Sequence, residues 1–141
     1  MNKPNDLSYK DIKIGSVFEF KKLLTKKSMD DFISLTGNRQ PLHCDKEFAD
    51  NTKFKGIIAH GLHLSSYFST LFGMLCPGKN CLCLTHQLNF RKPVYPGSEI
   101  IVRGEVKDKI DNVKVIIMRT EILCNGKIVV DGEAKVTLLD N

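Results

Sequence analysis

Residues able to move a proton or hold a polarised oxygen crowd into two short stretches of this sequence. The first is Thr36-Gly37-Asn38-Arg39-Gln40-Pro41-Leu42-His43-Cys44-Asp45. Its glycine and proline interrupt regular structure, so an irregular backbone presents two amides, an imidazole and a carboxylate close together. The second is Ala59-His60-Gly61, about four helical turns of chain further on, where an apolar helix should open. The first N–H groups of such a helix have no internal acceptor and favour negative charge in front of them. Imidazole carries protons near neutrality, and free N–H donors steady a developing oxyanion. The pair suits chemistry on a polarised carbonyl.

The neighbouring patterns predict what holds these stretches in place. Val17 to Leu24 mixes alternation with a short apolar run and predicts a strand. Ser28 with Asp31 resembles a capping box; Met29, Phe32, Ile33 and Leu35 then recur at helical spacing until Gly37 stops the helix. Asp45 should cap a second short helix through Asp50. From His60 to Cys76, Leu64, Tyr67, Phe68, Leu71, Phe72 and Leu75 form one stripe, which predicts a long, largely buried helix ended by Pro77-Gly78. Beyond it the period becomes two. Leu82, Leu84, His86, Leu88 and Phe90 share one face; Ile100, Val102, Gly104 and Val106 share another; Val113 to Cys124 and Ile128 to Leu138 complete the set. Asp111-Asn112 and Asn125-Gly126 fit tight hairpins, so the last three strands should form an antiparallel meander. The class is α+β, without βαβ alternation or repeats.

A chain of 141 residues is expected to be a single domain, residues 1–141, with a polar, loosely held arm over residues 1–12. No stretch has the length and apolarity of a membrane span or a signal core, and the expected location is the cytosol. Five cysteines without framework spacing fit reduced thiols, and no metal site is expected. The net charge of +5 favours an anionic ligand, but no basic patch interleaved with aromatics points to nucleic acid. One helix cannot cover both faces of a five-stranded sheet, so a second copy in a two-fold dimer is expected.

Three runs together resemble a known family: Thr36-Gly37 to Pro41-Leu42-His43 and Asp45, then Ile58-Ala59-His60-Gly61-Leu62, then Leu88-x-Phe90-Arg91-x-Pro93-Val94-Tyr95-Pro96-Gly97. They are similar to the MaoC-like hot-dog dehydratases, which include the (R)-specific enoyl-CoA hydratases. The resemblance implies a long central helix wrapped by an antiparallel sheet, paired subunits, and acyl thioesters of coenzyme A or of an acyl carrier protein as substrates. It implies no metal or redox cofactor, coenzyme A or phosphopantetheine being part of the substrate. It further implies that His43 handles a proton, that Asn38 and Gln40 orient water or substrate, and that Gly61 N–H polarises the thioester carbonyl; His60 and Ser65 are candidates for substrate contact, with capping of the helix or contact with the neighbouring loop the preferred role for His60 over catalysis. The chain departs from the family in carrying Asn38 where hydratases have Asp, and Gln40 where they have Asn. A carboxamide accepts no proton at neutral pH, so one general-base contribution is missing. Hydration of a 2-enoyl thioester, or the reverse, is the leading expectation. A non-catalytic acyl-thioester binder and a thioesterase are the alternatives. Asp45 is a candidate substitute carboxylate, though capping already accounts for it. His63 and His86 are expected to be structural; Tyr67, Phe68, Phe72 and Met74, core or pocket wall; Lys79, Arg91 and Lys92, candidates for the carrier's phosphates.

Overall fold

Alternating apolar residues build a five-stranded antiparallel sheet in the order β1-β3-β4-β5-β2 in this computed structural model, which describes residues 2–139. The strands are β1 (Val17–Leu23), β2 (Cys81–Phe90), β3 (Glu99–Ile110), β4 (Val115–Cys124) and β5 (Lys127–Leu138). The predicted meander of β3, β4 and β5 is present, with β1 added to one side and β2 to the other. On the concave face Ile100, Val102 and Val106 of β3, Ile116, Met118 and Ile122 of β4, and Ala134 and Val136 of β5 are fully buried. Burial on that scale supplies the main stabilisation, about 1.5–3 kcal/mol for each large side chain removed from water.

Against this face lies the helical path that the apolar stripe predicts. It is segmented rather than continuous: α3 (Gly61–Ser66), a turn at Tyr67, α4 (Phe68–Thr70), then a π-helical turn over Leu71–Leu75. Three hydroxyls compete for its carbonyls, Ser65 donating to Gly61, Ser66 to His63 and Ser69 to Ser66. At its end Cys76, extended as residues before proline tend to be, donates to the Leu71 carbonyl five residues back. The stripe itself holds, with Leu64, Phe68, Leu71 and Phe72 buried in the shared core and Tyr67 and Leu75 packed at its margin.

Three local expectations are corrected. The first helix, α1 (Lys26–Thr36), is capped by Thr25 and not by Ser28; Ser28 is the third helical residue and returns the bond to the Thr25 N–H. The β3–β4 loop spans four residues, and its left-handed residue is Lys114 at φ 53°, whereas the two-residue Asn125-Gly126 turn forms as expected. In β2 a bulge between Cys83 and Thr85 flips the alternation, so Leu82 and Leu84 face outward and Cys81, His86 and Leu88 inward.

Residues 5–12, expected to be loose, are tied down. Asn5 exchanges backbone bonds with Met74 and Lys79, Asp6 pairs with Lys79, and Ile12 is fully buried. Met1 lies outside the described residues. Among those residues no helix is long and apolar enough to cross a membrane.

Candidate active site

Gly37 ends α1 in the left-handed conformation, φ 74°, with its N–H on the Ile33 carbonyl, and this releases the chain into the polar loop. Asn38 shapes the loop from there. Its Oδ1 accepts the Gln40 N–H at 3.1 Å, an Asx turn that leads into a 3-10 turn over Pro41–His43. Asp45 then caps α2 (Lys46–Asp50), accepting from Phe48 N at 3.0 Å. The loop delivers His43 against the segment before α3, where its Nδ1 lies 2.8 Å from the Ile58 carbonyl oxygen. A carbonyl only accepts, so Nδ1 carries the hydrogen and Nε2 keeps the lone pair. His60 stacks on His43 with ring centroids 3.8 Å apart, and its Nε2 donates to the Asn38 carbonyl at 3.3 Å.

Two cavities meet at these residues. The larger, about 450 Å³, is bordered by His43, Gly61, Leu64, Phe90, Lys92 and Val94, among others. The smaller, about 210 Å³, is bordered by Phe32, Thr36, Asn38, His43, His60, Gly61 and Leu62. His43 and Gly61 belong to both, so the imidazole and the start of α3 form a shared wall. Gly61 is the first residue of α3, and its N–H has no acceptor within the helix. A Cβ here would lie 2.6 Å from the Phe90 ring, which closes over the backbone at this point.

The sequence pattern of the MaoC like domain matches residues 11–127, most of the chain. This protein belongs to the MaoC-like dehydratase family. The chain is 32% identical over 133 residues to an (R)-specific enoyl-CoA hydratase of Aeromonas caviae, covering 94% of this chain and 99% of that one. It is also 32% identical over 130 residues to a 3-hydroxybutyryl-CoA dehydratase of Methylorubrum extorquens, covering 92% and 83% of the two. An R-hydratase structure from Pseudomonas aeruginosa superposes with a TM-score of 0.91 at 29% identity, covering 98% of this chain and 89% of that one. The antiparallel sheet wrapped on its helical path is thus the hot-dog fold of the MaoC-like proteins.

Within this MaoC-like site the expected residues divide. Asn38, His43, His60 and Gly61 border one cavity. Gln40 borders neither of the two: it is exposed, and its backbone N–H rather than its amide is engaged. Ser65 turns its hydroxyl onto Gly61 O and borders a different cavity, with Phe68, Phe72 and His86. Of the cations considered for phosphates, Lys79 pairs with Asp6 away from the site, whereas Arg91 and Lys92 both border the larger cavity, Arg91 with its guanidinium 3.1 Å from Asp131. Lys53, Phe90 and the Ile58 carbonyl escaped sequence reasoning. A backbone acceptor leaves no signature in side-chain types, and the contact of Phe90 with Gly61 joins residues far apart in the chain.

Burial sets the electrostatics. His60 is pushed below its ordinary pKa first by burial and then by the adjacent His43, which the bond to Asn38 O opposes. His63 is likewise lowered by burial, then by His60 and Lys22; its Nε2 lies 3.2 Å from the Tyr67 hydroxyl. Both keep a buried Nδ1 with no partner. His86 is lowered by burial and bonds Thr120 Oγ1 at 2.8 Å beneath Phe68 and Phe72. Among the described residues no cluster of His, Cys, Asp and Glu could hold a metal.

Proposed function

We propose that this protein interconverts 2-enoyl and 3-hydroxyacyl thioesters of coenzyme A or an acyl carrier protein by adding or removing water. The observation that carries the reading is the tautomer and placement of His43: Nδ1–H is committed to Ile58 O, leaving a basic Nε2 on a residue that shares two cavity walls with the first N–H of α3. The names of the relatives point the same way, since they describe a hydratase and a dehydratase of such thioesters.

In the dehydrating direction, Nε2 of His43 takes a proton from C2 of the 3-hydroxyacyl thioester. The electron pair moves towards the carbonyl, whose oxygen receives the Gly61 N–H. The C3–O bond then breaks, the oxygen leaving with its pair and collecting the proton from His43 as water, while C2 and C3 form the double bond. Hydration is the reverse. One imidazole thus serves as base and acid, which accommodates the amide at position 38. Lys92 and Lys53 stand at the larger cavity, where the phosphates of either carrier would meet positive charge. No metal or redox group enters the scheme. Two copies should pair through the β2 edge, where Leu82, Leu84 and Phe90 are exposed at 46%, 48% and 54%.

The test is the loss of conjugated-thioester absorbance when purified protein meets a short 2-enoyl-CoA. Turnover that falls about a hundredfold or more in His43→Ala supports the reading; turnover unchanged by that substitution sinks it. Asn38 favours one other reading, a thioester-binding protein without turnover, which saturable acyl-CoA binding with no reaction over hours would establish.

A further inference from the structure

Asn38, Arg39, Gln40, Cys44 and Asp45 of the polar loop are exposed. Among the described residues, the hydrogen bonds that tie this loop to distant chain all end on residues 58–60. Ile58 O accepts Nδ1–H of His43 at 2.8 Å, Ile58 N–H reaches Leu42 O at 3.5 Å, and His60 Nε2–H reaches Asn38 O at 3.3 Å. Two of the three use the backbone of that segment and persist whatever side chains it carries. The third depends on the side chain of His60.

His60 stands at the N-cap of α3, yet its side chain makes no bond to the helix it precedes. Of the roles expected of it, contact with the neighbouring loop is the one present. The ring is 4% exposed and lies on His43, with centroids 3.8 Å apart and planes 27° from parallel, while Phe32 of α1 packs against it at 5.0 Å. Because Nε2 carries the hydrogen, Nδ1 keeps a lone pair, buried and without a partner among the described residues. An unpaired buried nitrogen lowers stability, so packing alone does not explain an imidazole where a phenyl ring would fill the space. What the imidazole adds is an N–H and a flat face on one ring, joined through the backbone to Gly61.

We propose that His60 is a positioning residue: its N–H on the Asn38 carbonyl and its ring against His43 hold the loop imidazole in register with the Gly61 N–H, and it acts on the thioester only through them. The consequence for rate rests on the proposed hydratase chemistry; the tie itself rests on geometry. Burial, and then the nearby His43, lowers the pKa of His60, so the ring stays an uncharged wall behind His43 when that residue takes up a proton. Without the wall the exposed loop would carry His43 through several orientations, few of them productive.

Three substitutions separate the parts. His60→Ala removes ring and donor. His60→Phe keeps a ring and removes the donor together with the unpaired nitrogen, and His60→Gln keeps an N–H near the place of Nε2 and removes the ring. The first measurement needs no turnover. Nitrogen-resolved NMR of the imidazoles above about pH 8, where they are neutral, should show His43 as a single Nδ1–H tautomer in wild type and as an average of two in His60→Ala, with His60→Phe between them. The second is steady-state hydration of crotonyl-CoA. There kcat should fall about a hundredfold in His60→Ala and about tenfold in His60→Phe, KM should stay within about threefold of wild type, and His60→Gln should recover most of the loss. His60→Phe should melt no lower than wild type, so its slower turnover is not a loss of fold. A His43 spectrum unchanged in His60→Ala and His60→Phe overturns the proposal, as does a KM that rises while kcat holds, which would make His60 a substrate contact. Turnover that simply follows the melting temperature across the three variants also overturns it. A wild type that does not hydrate crotonyl-CoA, but whose His43 signals still average in His60→Ala, supports the positioning and removes the hydratase reading instead.

Discussion

Asn38 carries an –NH2 where the aspartate implied by the family resemblance would carry a second oxygen. Restoring that oxygen in Asn38→Asp should raise the rate of enoyl-CoA hydration by about tenfold or more, because a base for the attacking water reappears. An unchanged or lower rate in steady-state kinetics would mean that His43 already supplies all the proton chemistry. At Gly61 the limit is space. In Gly61→Ala the methyl meets the Phe90 ring at 2.6 Å, so the ring and any bound carbonyl must shift. Turnover should fall by about a hundredfold, the usual cost of moving a reacting group by about 1 Å; a rate equal to wild type would place the carbonyl elsewhere. The sequence showed which side chains could do chemistry but not which of their atoms are free. Gln40 and Asn38 are equally eligible by residue type and both are exposed, but of the two it is Asn38 that borders a cavity with His43 and Gly61. The Ser65 hydroxyl is likewise engaged by the helix that carries it, which residue type alone does not reveal.

Helices α1 and α3 hold the two halves of the site, and their ends were legible to different degrees. Gly37 and Asp45 announced their roles by type. The start of α1 was misassigned by one turn because Thr25 and Ser28 are both competent caps, and the reciprocal bond that selects Thr25 is geometric. Thr25→Ala should cost about 1 kcal/mol in urea unfolding; no loss would mean the cap is dispensable. Helix α3 makes the fold sensitive to acid. His60 and His63 have folded pKa values below the ordinary value near 6.5, mainly through burial. The unfolded chain therefore binds protons that the folded one refuses, between that value and the lowered ones. Stability should be level above about pH 6.5 and should decline as pH drops below it. Melting temperatures measured across this range should fall, and His63→Phe should flatten the slope. An identical slope in the variant would clear His63 of the effect.

The meander of β3, β4 and β5 could be anticipated, because period-two patterning recurs there and the turns are short, whereas the places of β1 and β2 on its two sides carry no signal in the residue types. Strand β2 could not, since a bulge reverses its faces after Cys83 and nothing in the residue types marks it. That bulge leaves Leu82 and Leu84 exposed at 46% and 48% on an edge strand, which is the basis for expecting a second copy there. Leu84→Lys should shift the protein from dimer towards monomer in sedimentation velocity, with the melting temperature little altered; a dimer unmoved by the charge would put the contact on another surface.

Phe90 gives the edge of the sheet a say in the chemistry. It is the last residue of β2, yet its ring rests on Gly61 and borders the larger cavity. A copy docking along β2 would therefore press on the lid of its neighbour's pocket. Specific activity should then depend on protein concentration, falling on dilution as partners separate and the ring swings free of the Gly61 backbone.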